Sequence, residues 1–332
     1  MTQKQGVKMT KKLYRVRNWK YYNKSLVQRG SLTIWFSEES LDKWFYDGKR
    51  KRGGIKLYSD VAILTALVLK EVYKLTYRAC QGLIASLLVL LKLKKIKPPN
   101  YTTICRRAKN LKVKISSKVK SGEKVCVLVD STGIKVQGET EWYLQKHKKL
   151  SRQKWKKLHI SMDHDTHQIL SAITTDSYVH DASHFGNLIK EIDKQIKIDT
   201  IIGDGCYSLH TSHIHAQQRG AKLIAPPHIN SRKKSENTDY RHSPETPLRD
   251  EAIEYVRQFD TFEEGLKAWK QDSNYHYHRR SLIETAMFRL KSAFTGSIKA
   301  KLDCTQAVLL KIRCLILNKM SELGMPSSYV FN

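Results

Sequence analysis

A chain of 332 residues is long enough to bury a sizeable core and to support a folded enzyme. Its 60 Lys and Arg against 31 Asp and Glu give a formal charge of +29, a field that draws polyanions, nucleic acid first. The longest largely apolar run, residues 83–91, is far below the ~20 residues a membrane span needs, and the charged first thirty residues contain no apolar core of the kind a signal peptide has.

Residues 1–30 hold nine Lys and Arg and no acid, residues 91–120 hold eleven and no acid, and Lys146 to Lys157 hold seven. The first block, which fits either a solvated tail or a nucleic-acid contact, opens a basic N-terminal segment, residues 1–56. The other two carry interleaved aromatic and aliphatic residues and read as folded surfaces. Six cysteines without a CxxC pair are expected as reduced thiols in a cytosolic protein. His159, His164 and His167 come nearest to a metal cluster, but they straddle a strand and a turn, so no zinc site is expected.

From Ser59, "SDVAILTALVLKEVYKLT" begins with capping residues and then repeats apolar side chains at helical spacing. A second helix covers Arg78 to about Leu93. After two prolines, a third begins at a cap on Asn100 or Thr102 and carries Arg106, Arg107 and Lys109. Residues 57–120 therefore form a helical region. It is either a helix-turn-helix module whose last helix enters a DNA groove through Arg106 and Arg107, or a generic bundle with a solvated basic face; the surrounding charge favours DNA.

From Glu123 the texture turns to strands. "KVCVLVD" reads as a central strand covered on both faces, and "WKKLHISMDHD" and "QILSAITTD" as two further strands turning at His164 to His167. "ASHFGNLIKEIDKQI" reads as helix, "IDTIIGD" as a buried strand, "SLHTSHIHAQQRG" as a helix closed by Gly220, and "AKLIAPP" as a last short strand. The expected fold is a mixed α/β sheet flanked by helices. Residues 228–250 read as a polar mobile loop and the remainder, to about Leu323, as helical.

Two of the apolar strands end in aspartate, Asp130 and Asp204. In open α/β sheets the ligand crevice lies off strand ends, so both can meet over one site, although either alone is ordinary turn chemistry. Two carboxylates facing a polyanion repel it unless hard cations intervene. Mg2+ takes carboxylate oxygens and bridges to phosphate, and two ions can bind the attacking and leaving oxygens of a phosphoryl displacement.

A third carboxylate lies in "YHYHRRSLIETAMFRLK", residues 275–291, read as one amphipathic helix. At ~100° per residue from Tyr277, Arg280 falls near 300°, Glu284 near 340° and Lys291 near 320°. Ile283, Ala286, Met287, Leu290 and Phe294 form the core-facing stripe beside them. An i to i+4 ion pair between Arg280 and Glu284 explains two of these polar residues, not four. His276 and His278 are read as solvent-facing.

The spacing of Tyr277, Arg280, Glu284 and Lys291 resembles the YREK signature of DDE transposases from bacterial insertion sequences, of the insertion-sequence-four and insertion-sequence-five groups. "VDSTGIKV" and "GDGCYS" are similar to their first and second acidic motifs, and "RGSLTIWFSEE" and "YSDVAI" to the N-terminal half of the insertion-sequence-five type. The resemblance implies a ribonuclease-H-like catalytic domain, residues 121–325, in which Asp130, Asp204 and Glu284 hold two Mg2+ ions, with Mn2+ able to substitute. It implies cleavage of the element's ends at the terminal inverted repeats and strand transfer by the freed 3′-hydroxyl. Tyr277, Arg280 and Lys291 would contact the transposon-end backbone, and the insertion-sequence-four group also flips a base there.

It further implies DNA as partner, a homodimer in the synaptic complex, and a bacterial cytoplasmic protein, nucleoid-associated when bound to DNA. Only 79 residues separate Asp204 from Glu284, so the large β-rich insertion known in part of the superfamily is not expected. Two rival readings are a catalytically silent DNA-binding derivative and a phosphoaspartate phosphatase. The first is disfavoured because all three acids are present, the second because no Asp stands two residues after Asp130.

Overall fold

The computed structural model describes residues 13–49, 56–119, 122–137, 154–240 and 242–331; the first twelve residues and the first part of the basic run from Lys146 lie outside them. Four short elements open the described chain: β1 (Leu13–Val16), α1 (Trp19–Gln28), α2 (Leu32–Trp35) and α3 (Glu38–Asp42). Part of the segment that could have been a solvated tail is instead paired. β1 runs antiparallel to β8 (Ser328–Phe331), joining the first and last strands of the described residues. The Arg15 guanidinium lies 3.6 Å from the centre of the Phe331 ring, and the Asn18 amide accepts from the Ser327 N–H at 2.7 Å.

Three helices follow, α4 (Asp60–Val72), α5 (Tyr77–Leu90) and α6 (Tyr101–Ala108). Ser59, Thr76 and Asn100 cap them, accepting from the N–H groups of Ala62, Ala79 and Thr102 at 3.1, 3.2 and 2.9 Å. Each cap satisfies a donor that the first helical turn cannot. Ile63, Leu67, Ile84 and Ile104 are fully buried, in one cluster with Leu310 and Leu317 of a long C-terminal helix, α12 (Asp303–Leu323). A buried ion pair, Arg313 Nε donating to Glu71 Oε2 at 2.7 Å, ties α4 to that helix. Burial pushes the Glu71 carboxyl up, but Arg313 and Lys70 more than reverse this and hold it below the usual range.

The sheet is built on β2 (Lys124–Val136). On one side β3 (Trp155–Asp163) and β4 (Ile169–Asp176) continue antiparallel; on the other β5 (Lys197–Ile202) and β6 (Lys222–Ile224) run parallel. The order is β4-β3-β2-β5-β6, with β7 (Ser297–Ile298) joining the far end of β2. This is the expected ribonuclease-H-like mixed sheet.

Side chains alternate across it. Val127 and Val129 face α7 (Phe185–Lys190) and α8 (His210–Gln218), where Phe185, Leu188 and Ala216 are buried. Leu128, Ile134, Leu158 and Ile160 face α11 (Ser281–Phe294), α12 and the N-terminal helices. α7 is shorter than expected at both ends: a 3-10 turn, Asp181–His184, takes its first residues, and the helix stops at Lys190.

The C-terminal half departs from expectation at two points. Residues 228–250 contain two 3-10 turns and the start of α9 (Pro247–Arg257), held by ion pairs of Lys233 with Glu254 and Arg257 with Glu236, both at 2.6 Å. α10 (Phe262–Gln271) then folds back on α9. A Cβ on Gly265 would stand 2.3 Å from the Val256 carbonyl oxygen, so only glycine permits that approach. Second, residues 275–291 are not one helix. His276 takes a left-handed φ of 48°, Tyr277–Arg280 form a 3-10 turn, and the α-helix starts at Ser281. The cause is the aromatic anchor on α10: Trp269 stacks on Tyr275 at 4.6 Å and meets Tyr277 at 5.6 Å, which bends the chain before the helix begins.

Burial depresses His159 on β3 to about 4 and His213 on α8 to about 3, so both are uncharged in the fold. The unfolded chain protonates them near 6.5, so it binds more protons in acid. Stability is therefore full above pH ~6.5 and falls as the pH drops towards ~4, by about 3 kcal/mol for each histidine. Urea unfolding midpoints across this range are expected to fall steeply for the native chain and less steeply for His213→Leu; equal slopes would remove His213 from the account.

Candidate active site

The parallel register pairs Leu128 of β2 with Ile202 at the end of β5. Both face the layer that contains α11. Two residues further along each chain, Asp130 and Asp204 return to the same face on neighbouring paths about 5 Å apart. Asp130 does not end its strand as expected: β2 continues to Val136 because β3 and then β7 go on pairing with it after β5 has left.

Asp204 stands just beyond β5, where its Oδ1 accepts from the Cys206 N–H at 3.0 Å and caps the 3-10 turn Gly205–Tyr207. The preceding Gly203 permits this exit, since a Cβ there would lie 2.9 Å from the Tyr207 ring and 3.0 Å from Val129. Asp130 Oδ1 accepts from the Ser131 N–H at 2.8 Å.

Glu284 enters from the first turn of α11, and Arg280, in the turn before it, stands among the acids. The Arg280 guanidinium is ion-paired with Glu284 and lies 3.8 Å from Asp130 Oδ2, while its buried Nε has no partner. Burial pushes the Asp130 carboxyl up to about 6; Asp204 and Glu284 push the same way, and the Ser131 N–H and Arg280 oppose them. The group is thus short of positive charge. Among the described residues no three His, Cys, Asp or Glu side chains are close enough to share an ion, these three included.

Tyr277 lies against the same cluster, its phenol pushed up to about 12 by burial, with Asp204, Asp130 and Glu284 adding to the shift against Arg280. Lys291 lies on the last turn of α11, ~10 Å along the helix from Glu284. Of the two helical arginines, Arg106 is exposed. Arg107 turns inward, donating to the Tyr58 carbonyl at 2.9 Å and pairing with Asp60.

Two features escaped the sequence reading. A cavity of about 730 Å3 opens beside Asp204 and Arg280, walled by Pro226, Ile229, Phe262 and Leu266. Its signal was the i, i+4 pair Phe262 and Leu266 in a stretch read only as helical. Behind Asp130, Asp181 accepts from Ser131 Oγ and from Lys157 Nζ, both at 2.8 Å, fixing the strand on its other face.

Residues 121–318 match a family model described as a transposase DDE domain, and residues 27–139 match a second model of the same description. Among solved structures the chain is similar to a piggyBac transposase synaptic complex with hairpin DNA, at 11% identity over 94% of this chain and 77% of that one, with a TM-score of 0.37. It is also similar to a Drosophila P element transposase strand transfer complex, at 10% identity over 84% of each chain, with a TM-score of 0.29.

If Arg280 offsets the repulsion among the acids, its removal depends on Asp130. Arg280→Gln is expected to destabilise the metal-free protein by about 1–2 kcal/mol at pH 8, and by less than half of that in an Asp130→Asn background. Chemical denaturation of the four-member cycle measures this, and equal losses in both backgrounds would assign Arg280 a different role.

Proposed function

The chain belongs to the DDE transposase family, and from that premise we propose that it binds the terminal inverted repeats of a bacterial insertion sequence of the insertion-sequence-five type, cleaves the ends and joins the freed 3′-hydroxyls to target DNA. The observation that supports the reading is that Asp130 on β2, Asp204 just beyond β5 and Glu284 on α11 all surround the Arg280 guanidinium, which offsets their charge.

The chemistry of the donors suits a hard divalent cation, three carboxylates of which one is raised by burial, although in this arrangement they stand too far apart to share an ion. Asp130, Asp204 and Glu284 would hold Mg2+, in two ions, with Mn2+ able to substitute. Bound there, the metal supplies Lewis acidity and activation of water for phosphoryl transfer.

The chain's own residues do the rest. Arg280 offers a planar fork to a phosphate oxygen. Tyr277 keeps its proton at every physiological pH and donates a hydrogen bond to the strand. Lys291, two turns along α11, contacts the backbone further from the cut. The Phe262 and Leu266 wall holds the sugar and base side of that strand and excludes water. Arg106 on α6 contributes to binding of the repeats, with Arg107 holding α6 in place. Pairing of two ends requires two copies of the chain, a homodimer in the synaptic complex. No helix among the described residues is long and apolar enough to cross a membrane.

Asp130→Asn, Asp204→Asn and Glu284→Gln are each expected to lower Mg2+-dependent cleavage of labelled end DNA by about 10²-fold or more, with DNA affinity kept within about threefold. Cleavage at the native rate by any of the three withdraws that residue from the site.

A further inference from the structure

A cavity of about 680 Å3 opens between the turn joining α4 to α5 and the outer face of α6. Six cations line it: Lys70, which is paired with Glu71, and Lys74, Arg78, Arg106, Lys109 and Lys299. The last five are exposed, none of those five is in an ion pair among the described residues, and no residue of the lining is acidic. The first turns of α5 and α6 also line it, so the positive ends of helices of fourteen and eight residues add to the field. Arg78 lies 4.5 Å from the centre of the Tyr101 ring, which holds its charge at the rim.

Lys299 comes from beyond β7, on the catalytic side, and also borders a smaller cavity of about 190 Å3 floored by Glu71 and Arg313. The cleft is therefore made by both halves of the chain. Arg107, paired with Asp60, sets α6 against α4 and leaves Arg106 outward.

A small anion would be gripped by buried donors; here the donors are solvated heads spread along an open trough. Such spacing suits a repeated charge, and the high linear charge of a duplex supplies it through counterion release. We propose that this cleft seats the phosphodiester backbone of duplex DNA and, through Lys299, holds that duplex in a fixed relation to the catalytic carboxylates. The assignment rests on the reading of the chain as a DNA transposase and specifies where the duplex lies.

Cys105 is exposed within the lining, whereas Cys304, also exposed, is outside it. Maleimide labelling of the full-length native chain, resolved by site, therefore reports on the cleft without any substitution. With a saturating duplex of about 30 base pairs, labelling of Cys105 is expected to slow by about fivefold or more and that of Cys304 to change little. Neutralising Lys74, Arg106, Lys109 and Lys299 to Gln together is expected to reduce the slope of log K against log salt by about 3 to 4.

Duplex bound and cut with Cys105 labelled at its free rate overturns the cleft assignment and leaves the transposase reading standing. No duplex bound at any salt concentration overturns both. Protection of Cys105 by inorganic phosphate alone, at the same total phosphate, overturns the duplex assignment in favour of a small-anion site.

Discussion

Like charges held together on one face of a sheet are the constraint around which this protein is arranged. The parallel register between β2 and β5 brings Asp130 beside Asp204 whether or not a cation is there. Burial and the two neighbouring acids drive the Asp130 carboxyl up to about 6, so above that pH the fold carries an ionised group in an unfavourable place. Arg280 offsets part of this by standing between Asp130 and Glu284. The fold tolerates the remainder because Asp130 is flanked within β2 by fully buried Val127, Leu128, Val129 and Ile134, whose removal from water outweighs one misplaced charge.

The same logic explains why the bend before α11 matters. A continuous helix would carry Tyr277 and Arg280 on one stripe with Glu284. The 3-10 turn instead hangs Tyr277 on Trp269 and lets Arg280 reach back over the acids. The aromatic cluster of α9 and α10 is thus part of the site, although none of its ring atoms is charged. Gly265 is what allows the two helices to meet closely enough to form it.

At the other end of the molecule, α4 to α6 share one apolar cluster with α11 and α12, and the buried Glu71–Arg313 pair fixes the direction of that contact. A charged pair at such depth stabilises little by itself, but leaving either partner alone there is strongly unfavourable, so the pair restricts how the two halves sit. Charge proposed to bind DNA and charge that holds the fold are thereby separated: Arg107, Lys70 and Arg313 turn inward to acids, while Arg106, Lys74 and Lys299 have no ion pair among the described residues.

Much of this was legible in the residues themselves. Continuously apolar runs marked the central sheet strands, capping side chains marked the three N-terminal helices, and Asp130 and Asp204 stood out at the ends of such runs. Those are local properties, decided by covalent geometry and by the drive to bury apolar area. Which strand lies beside which, the turn at Tyr277–Arg280, the pairing of β1 with β8, and the choice between Arg106 and Arg107 as the outward arginine were decided only by the tertiary structure. Each depends on a partner far away in the chain: Trp269 for Tyr277, Phe331 for Arg15, Asp60 for Arg107. A pattern with a period of two or 3.6 residues carries no information about such partners.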